Sequence, residues 1–232
     1  MEAIVLAGGF GTRLAPRLHG VPKPMAPVAG RPFLEILLAQ LQRAGCTRVV
    51  LSVGHLHSVI QDHFGASFRD MRVDYAIESA PLGTGGAVRL ALKQIREEAV
   101  LVLNGDTFLQ ADYADMMRFH AGCGAIATIA VVRHPEIARY GGVVVEGKRI
   151  VGFEEKGRTG PGLISAGAYI LPKNLAWPPN LAEKFSIERD FFAPEIARLR
   201  PAAYMVDGFF LDIGLPEDYD RAQTELAEFR AF

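Results

Sequence analysis

The sequence has 232 residues, of which 50% are hydrophobic and 22% are charged, and its formal net charge is −1. This composition is typical of a globular protein, and the small net charge excludes a general electrostatic attraction to nucleic acid or to acidic membranes. Two cysteines far apart in the chain, Cys46 and Cys123, argue against a zinc-binding cysteine pair and a disulfide framework. No apolar run approaches the roughly 20 residues that span a bilayer, and no signal peptide is recognisable, so we expect a cytoplasmic protein.

Strand and helix patterns alternate over the first 125 residues. Short apolar runs predict strands at residues 1–7, 48–53, 73–77 and 99–103. Apolar residues at helical spacing, and one short polar segment, predict helices at residues 32–44, 57–64, 84–97 and 112–120. This alternation implies right-handed crossovers, and it predicts a mostly parallel sheet with helices on both faces.

The pattern changes after residue 125. Strand-like runs separated by turns occupy residues 125–132, 141–146, 149–155 and 163–171, and helical patterns follow at residues 187–199 and 216–229. No Ser/Gly-rich linker, repeat or low-complexity segment divides the chain. We therefore expect residues 1–232 to form a single domain, in which the second half completes the sheet and forms one wall of a pocket.

A glycine-rich segment directly follows the first predicted strand. It reads GGFGTRL from Gly8 to Leu14, and a Pro-Lys-Pro sequence around Lys23 comes soon after. A dinucleotide-binding turn needs a third glycine that is missing after Gly11, and a P-loop needs a Gly-Lys-Ser/Thr sequence that does not occur. What remains is a turn whose backbone N–H groups surround an anion, with Arg13 and Lys23 as phosphate partners. The alternative is a glycine turn with solvated charges.

Further motifs follow along the chain: PLGTGGA from Pro81, NGD from Asn104, YG from Tyr140, FEEK from Phe153 and LDIGLPEDY from Leu211. Together with GGFGTRL and PKP, they resemble the sugar-1-phosphate nucleotidyltransferases over nearly the whole chain. The resemblance implies the α/β fold of the nucleotide-diphospho-sugar transferases, with a Rossmann-like, mixed and mostly parallel sheet and helices on both faces. It also implies a nucleotide-binding half, residues 1–125, and a sugar-phosphate-binding half, residues 126–232.

Within this family, the chain is most similar to the subfamily that uses GTP and D-glycero-α-D-manno-heptose 1-phosphate. Mannose-1-phosphate guanylyltransferases and N-acetylmuramate-1-phosphate uridylyltransferases are the alternatives, and a non-catalytic sensor of nucleotides or sugar phosphates is a remote one. In the family, the sugar phosphate attacks the α-phosphorus of a nucleoside triphosphate and pyrophosphate leaves. The expected partners are therefore GTP and a sugar 1-phosphate, without nucleic acid or membrane. The sequence does not decide whether the protein forms a homo-oligomer.

Two aspartates are the expected ligands of a magnesium ion. Asp106 follows the apolar run at residues 99–103, at the carboxyl end of a strand where ligands bind in open α/β sheets, and Asp212 follows another apolar run. The resemblance brings both carboxylates to one Mg²⁺, a cation that binds carboxylate and phosphate oxygens. The alternative is that each aspartate caps a helix or a turn, which is the role we expect for Asp115 and Asp218.

The resemblance also implies roles for the other motif residues. The expected catalytic residues are Arg13, Lys23 and Lys156, of which Lys156 holds the sugar phosphate. The expected nucleotide-binding residues are Leu6, Gly8, Gly9, Gly11, Thr12, Arg13, Lys23, Glu78, Pro81, Leu82, Gly83, Thr84 and Asn104. The expected substrate-binding residues are Asp106, Tyr140, Gly141, Glu155, Lys156, Ala166 and Gly167, with Glu155 on the sugar hydroxyls.

Glu78, three residues before the PLGTGGA motif, predicts the choice of base. Relatives that use thymidine or uridine triphosphates often have glutamine here, and its amide matches the donor and acceptors of a pyrimidine. A carboxylate instead accepts both adjacent donors of guanine, N1–H and N2–H₂. Glu78 therefore predicts GTP rather than pyrimidine nucleotides or ATP. The alternative is a solvent-facing glutamate, with the base contacted only by the backbone at Leu82 and Gly83.

Overall fold

The computed structural model describes residues 1–9, 11–18, 20–227 and 229. The strands in this part of the chain are β1 (Glu2–Leu6), β2 (Pro27–Val28), β3 (Arg31–Pro32), β4 (Arg48–Val53), β5 (Ser67–Phe68), β6 (Met71–Ile77), β7 (Ala99–Asn104), β8 (Thr107–Leu109), β9 (Thr128–His134), β10 (Val143–Glu146), β11 (Arg149–Phe153), β12 (Gly162–Pro172), β13 (Ala202–Val206) and β14 (Phe210–Asp212). Ten of these strands form one large sheet in the order β10-β11-β13-β9-β12-β7-β1-β4-β6-β5. Two small pairs, β2 with β3 and β8 with β14, lie outside it.

Four neighbouring strands of the large sheet are parallel. β1 lies between β4 and β7, and β6 pairs with the other side of β4. The side chains of β1, β4 and β7 are almost all buried, as expected for a parallel sheet that is covered on both faces. β12 is antiparallel to β7 and β9, and β13 runs parallel to β9, so the second half of the chain extends the same sheet. The predicted fold class is confirmed.

Helices cover both faces of this sheet. The α-helices of the described residues are α1 (Ala15–Leu18), α2 (Phe33–Arg43), α3 (His57–Phe64), α4 (Gly83–Leu92), α5 (Tyr113–Cys123), α6 (Ile196–Leu199) and α7 (Pro216–Glu225). The chain also forms a 3₁₀ turn at Lys23–Met25 and a π-helical turn at Ile187–Phe192. Apolar side chains of α2, α3, α5 and α7 pack on one face, whereas those of α4, α6 and the π-helical turn pack on the other.

Within the described ranges, no helix combines the length and the apolar character needed to cross a membrane.

Two predicted helices end early or break. α4 ends at Leu92 instead of residue 97, because the N–H groups of Arg96 and Glu97 donate to the carboxylate of Glu2, at 2.6 and 3.0 Å. The continuous helix predicted at residues 187–199 is wrong, since the π-helical turn and α6 are separate. Pro194 lies between them, and its ring and missing N–H interrupt helical hydrogen bonding.

The end of the chain also differs from its predicted pattern. α7 ends at Glu225 instead of residue 229, and residue 228 of that prediction lies outside the described residues. β13 and β14 were not predicted, because strands of five and three residues give too little alternation to be recognised.

Candidate active site

A cavity of about 420 Å³ lies at the carboxyl ends of β1, β6 and β7. Its lining comes mainly from the loop after β1, the turn before α4 and the end of β7, and consists of Leu6, Gly8, Gly9, Lys23, Pro24, Glu78, Pro81, Gly83, Thr84, Ala87, Asn104, Gly105, Asp106 and Lys184. Most of the residues predicted to bind the nucleotide therefore meet in one cavity. This cavity is called the first cavity below.

Glu78 lies half-buried at the edge of the first cavity. Its Oε2 accepts the N–H of Leu82 at 3.0 Å, and its Oε1 accepts the hydroxyl of Ser52 at 3.4 Å. Gly8 packs directly against the same carboxylate, where a Cβ atom would overlap Oε1. The chain thus holds the Glu78 carboxylate in place, and each oxygen keeps a further lone pair for a ligand.

The PLGTGGA turn is held by the segment that precedes the π-helical turn. Phe185 donates its N–H to the carbonyl of Leu82 at 3.0 Å and accepts the N–H of Gly85 at 2.9 Å. Gly83 has a φ of +68°, and a Cβ atom there would lie 2.6 Å from the carbonyl oxygen of Phe185. The close approach of these two segments therefore requires glycine at position 83.

A second cavity of about 320 Å³ adjoins the first one. It is lined by Gly11, Thr12, Arg13, Lys23, Asp106, Arg139, Tyr140, Lys156, Asp212 and Gly214, so Lys23 and Asp106 border both cavities. Four cationic side chains and two carboxylates meet there. This excess of positive charge suits phosphate groups, which arginine and lysine bind through charge-assisted hydrogen bonds.

Lys23 lies between the two predicted metal ligands. Its Nζ is 2.6 Å from Oδ2 of Asp106 and 3.9 Å from Oδ1 of Asp212. The pairing of β8 with β14 places Thr107 opposite Asp212 and so brings Asp106 and Asp212 together. Two carboxylates around one positive charge are an oxygen donor set that suits Mg²⁺, which fills its other positions with water and phosphate oxygens. The residues present therefore fit a magnesium ion.

The pKa of the Asp212 carboxyl lies above its ordinary value. Burial is the main cause, and the negative charge of Asp106 adds to it. Lys23, Arg139 and the N–H of Gly214 act in the opposite direction. Positive charge between Asp106 and Asp212 relieves the repulsion of the two carboxylates, which is a further reason why this pair suits a cation.

The residues predicted to bind the sugar do not all lie together. Tyr140 and Lys156 line the second cavity, and a Cβ atom on Gly141 would lie 3.7 Å from Cγ of Lys156. Glu155 is exposed and lines neither cavity. Its role on the sugar hydroxyls stays a prediction.

Ala166 and Gly167 are buried in β12, next to β7. Gly167 packs against the amide of Asn104, which a Cβ atom would overlap. Asn104 lines the first cavity, so Ala166 and Gly167 lie behind it instead of lining it.

Two cationic residues of the cavities were not predicted. Lys184 reaches the first cavity from the segment that holds the PLGTGGA turn, and Arg139 lines the second cavity. Arg139 directly precedes the YG motif, and this position is the only sequence signal that could have identified it. Lys184 belongs to an EKFS sequence at residues 183–186 that is part of the family resemblance, but no role was assigned to it, because only tertiary packing brings this segment to the first cavity.

The capping roles expected for Asp115 and Asp218 are wrong. The N-cap of α5 is Asp112, whose side chain accepts the N–H of Asp115 at 2.8 Å. Asp115 instead accepts the hydroxyl of Tyr204 at 2.8 Å, and Asp218 binds Arg139. These partners lie 89 and 79 residues away, which local sequence patterns do not reveal.

The chain is similar to curated guanylyltransferases over most of its length. It is 39% identical to a D-glycero-α-D-manno-heptose 1-phosphate guanylyltransferase of Aneurinibacillus thermoaerophilus, over 99% of this chain and 100% of the relative. The enzyme of that name from Campylobacter jejuni is 40% identical over 94% of this chain and 97% of its own. A mannose-1-phosphate guanylyltransferase of Mycobacterium tuberculosis is 34% identical over 97% of this chain and 64% of its own.

The fold of the chain is also similar to solved structures. The crystal structure of HddC from Yersinia pseudotuberculosis has a TM-score of 0.83 at 34% identity, over 97% of this chain and 99% of that one. A crystal structure of HddC complexed with GMP-PN has a TM-score of 0.82 with the same coverage. The family described as nucleotidyl transferase matches residues 2–228. The predicted phosphate-binding residues lie in two adjoining cavities, and the family model matches nearly the whole chain. The chain therefore belongs to the nucleotidyl transferase family.

Proposed function

We propose that this chain transfers the guanylyl group of GTP to D-glycero-α-D-manno-heptose 1-phosphate, giving GDP-heptose and pyrophosphate. The observation that carries the proposal is the pair of adjoining cavities that share Lys23 and Asp106, the first bordered by Glu78 and the second by Arg13 and Lys156. A nucleotide in the first cavity would direct its phosphates toward the cations of the second. Two heptose 1-phosphate guanylyltransferases, similar to the chain over nearly their whole length, support this choice of substrates.

The reaction needs no general base. The sugar phosphate is already anionic at pH 7, so one of its oxygens forms a bond to the α-phosphorus while the bond from the α-phosphorus to the bridging oxygen of the β-phosphate breaks. The electron pair of the broken bond leaves with pyrophosphate, and no proton is transferred. Catalysis then consists of positioning and charge neutralisation. We assign Lys156 to the sugar phosphate, and Arg13 and Lys23 to the triphosphate.

Asp106 and Asp212 are the residues that would hold Mg²⁺. When bound, this ion supplies positive charge to the phosphate oxygens. The cations of the chain itself provide the remaining charge, and the glycine-rich loop provides the backbone N–H groups that orient the phosphates.

Glu78 supports guanine as the base. Its carboxylate borders the first cavity, where it can accept two adjacent donors of guanine. The complex of HddC with GMP-PN supports the same choice. The mannose-1-phosphate guanylyltransferase of Mycobacterium tuberculosis makes mannose 1-phosphate the second candidate for the sugar substrate.

The test is a pyrophosphate-release assay with GTP, UTP, dTTP and ATP, each against heptose, mannose and N-acetylmuramate 1-phosphates. We expect the highest kcat/KM for GTP with the heptose phosphate. A higher value for GTP with mannose 1-phosphate would change the assigned sugar. Nucleotide binding without pyrophosphate release for any pair would instead indicate a non-catalytic sensor.

We also propose a cytoplasmic location. The free thiols of Cys46 and Cys123 support it, because unpaired cysteines suit a reducing compartment.

A further inference from the structure

Arg139 lines the second cavity beside the candidate metal site and belongs to the segment between β9 and β10. Its Nη2 is 3.6 Å from Oδ2 of Asp212, and its Nη1 donates a hydrogen bond to Oδ2 of Asp218. Nη2 also donates to the hydroxyl of Tyr140. One guanidinium therefore connects a predicted metal ligand, the first turn of α7 and the YG motif.

Both oxygens of the Asp212 carboxylate face positive partners. Oδ1 accepts the N–H of Gly214 at 2.6 Å and faces Nζ of Lys23 at 3.9 Å. Lys23 lies closer to Asp106, at 2.6 Å, so its charge is shared between two carboxylates. On the opposite side, Oδ2 of Asp212 faces Arg139.

Arg139 is itself held from several sides. Its guanidinium stacks on the ring of Tyr140, 4.6 Å from the ring centre. Asp218 is its acidic anchor, and only 14% of the Asp218 side chain is exposed. A guanidinium presents five N–H donors in a rigid fork, so it can contact Asp212 and Asp218 at the same time, whereas a lysine ammonium cannot span both.

We propose that Arg139 is a positioning residue, which holds the Asp212 carboxylate in the orientation needed for metal binding and is itself anchored by Asp218. The inference rests on the proposed function in one respect, the assignment of Asp212 to the metal. Asp218 lines neither the first nor the second cavity, but borders a neighbouring cavity of about 600 Å³ together with Arg139 and Asp212. Its side chain contacts Arg139, and Arg139 in turn faces Asp212. Loss of Arg139 leaves Asp212 with Gly214 and a shared Lys23, which permits its carboxylate to rotate. Loss of Asp218 removes the carboxylate that anchors Arg139 beside Asp212.

The test is Mn²⁺ binding, measured from the electron paramagnetic resonance signal of free Mn²⁺ with wild-type protein and with Arg139→Lys, Asp218→Asn and Asp212→Asn. No nucleotide is added, so that no phosphate oxygen contributes to metal binding. We expect Arg139→Lys and Asp218→Asn to weaken Mn²⁺ binding about 10-fold, as changes of residues that orient metal ligands commonly do. The matched control is Arg221→Ala, because Arg221 contacts Asp218 at 3.3 Å but has no contact with Asp212, and it should bind Mn²⁺ like the wild type.

Kinetics provide a second measurement. In Asp218→Asn, the Mg²⁺ concentration for half-maximal rate should rise by a similar factor, while KM for the sugar phosphate stays unchanged. Wild-type Mn²⁺ affinity in both Arg139→Lys and Asp218→Asn would overturn the proposal. A raised KM for the sugar phosphate at an unchanged Mg²⁺ requirement would also overturn the proposal, because Arg139 would then position Tyr140 for substrate binding instead of Asp212 for metal binding.

Asp212→Asn separates this inference from the function on which it rests. If Asp212→Asn binds Mn²⁺ like the wild type, the metal assignment is wrong and the positioning role falls with it. If only Asp212→Asn loses Mn²⁺ binding, the metal assignment stands and the positioning role alone is wrong. Thermal unfolding checks that each variant folds. If Arg139→Lys does not fold, the Mn²⁺ affinity of Asp218→Asn decides the result.

Discussion

Lys23 and Asp106 form the contact between the two adjoining cavities of the candidate site. Lys23 is the first residue of a 3₁₀ turn and lies between Pro22 and Pro24 in the sequence. Only 11% of its side chain is exposed. Proline restricts the backbone on both sides of the lysine, so the ammonium reaches Asp106 from a stiff segment. At the residue scale, a backbone segment restricted by proline therefore holds the Lys23 ammonium 2.6 Å from Asp106.

Asp106→Asn should lower kcat by about 100-fold or more, because the substitution removes one of the two carboxylates that balance Lys23 and suit a metal. The measurement is pyrophosphate release at saturating GTP, sugar phosphate and Mg²⁺. The control is Asp62→Asn on the exposed surface of α3, which should leave the rate unchanged. A wild-type rate in Asp106→Asn would show that this assignment is wrong.

Glu78→Gln should reduce the preference for GTP. The native protein should favour GTP over UTP, dTTP and ATP by about 1–3 kcal/mol in kcat/KM, the value of a bidentate base contact. Glutamine keeps an oxygen for the N–H of Leu82, so the turn stays intact while one acceptor for guanine is lost. The measurement is kcat/KM for the four nucleotides, with Glu146→Gln on the distant β10 as the control.

Two outcomes of that comparison would contradict the assignments. A native preference for a pyrimidine nucleotide would overturn the guanylyl transfer itself. An unchanged preference in Glu78→Gln would leave guanylyl transfer in place but remove Glu78 from the base site.

The PLGTGGA turn gains its shape from a distant segment. Two backbone hydrogen bonds join Leu82 and Gly85 of the turn to Phe185, about 100 residues further along the chain. The ring of Phe185 is buried against Trp177 and belongs to the same apolar cluster as α4. The first cavity therefore depends on the docking of one element on another.

Gly83→Ala should destabilise the protein more than Gly147→Ala does. Both glycines have positive φ angles, +68° and +58°, so each substitution costs about 1 kcal/mol for the left-handed backbone. At Gly147 a Cβ atom meets nothing within 4 Å, whereas at Gly83 it meets the carbonyl oxygen of Phe185. The measurements are the free energy of unfolding and KM for GTP, and only Gly83→Ala should raise KM. Equal effects of the two variants would contradict a constraint by Phe185.

At the scale of the whole molecule, an ion-pair network joins the strands at the end of the sheet opposite the site. Arg48 donates to Glu2 and to Asp74, each at 2.6 Å, and so links β1, β4 and β6. Burial alone would raise the pKa of Glu2, but the N–H groups of Glu97 and Arg96 and the charge of Arg48 outweigh it and lower this pKa. Burial acts in the same way on Asp74, where Arg72 and Arg48 lower the pKa.

Glu2→Gln should lower the free energy of unfolding at pH 7 by about 3 kcal/mol, because the buried Arg48 then lacks one of its two carboxylate partners. A carboxyl whose pKa is lowered by folding stabilises the protein above its unfolded pKa, near 4, and this contribution disappears as the pH falls through the folded value. The difference between wild type and Glu2→Gln should therefore narrow below about pH 4.

The measurement for this prediction is chemical denaturation between pH 7 and pH 3. The control is Glu98→Gln, since Glu98 pairs with Lys173 at a side chain that is 86% exposed, and exposed pairs contribute little. A difference between wild type and Glu2→Gln that does not change with pH would contradict the role of the charged carboxylate.

The prediction from the sequence was most accurate where an element is defined by neighbouring residues alone. The bounds of β4 and α3 were predicted without error, because β4 is a continuous apolar run and α3 is a short polar segment that follows it. Pro194 shows the limit, since the apolar pattern continued through a residue that breaks the helix. The early end of α4 shows another limit of sequence-based prediction. The N–H of Arg96, beyond the end of this helix, donates to the carboxylate of Glu2, which lies 94 residues away in the sequence.

The sequence by itself determined the fold class and the positions of Asp106 and Asp212 at the ends of apolar runs, and it predicts a phosphate-binding role for the loop after β1. These features depend on residue type and spacing within short segments. Only the tertiary structure decided which charges meet: Lys23 with Asp106 across 83 residues, and Arg139 with Asp218 across 79. The physical reason is that an ion pair depends on distance in space, and strand pairing and helix packing set that distance between segments whose local patterns are independent.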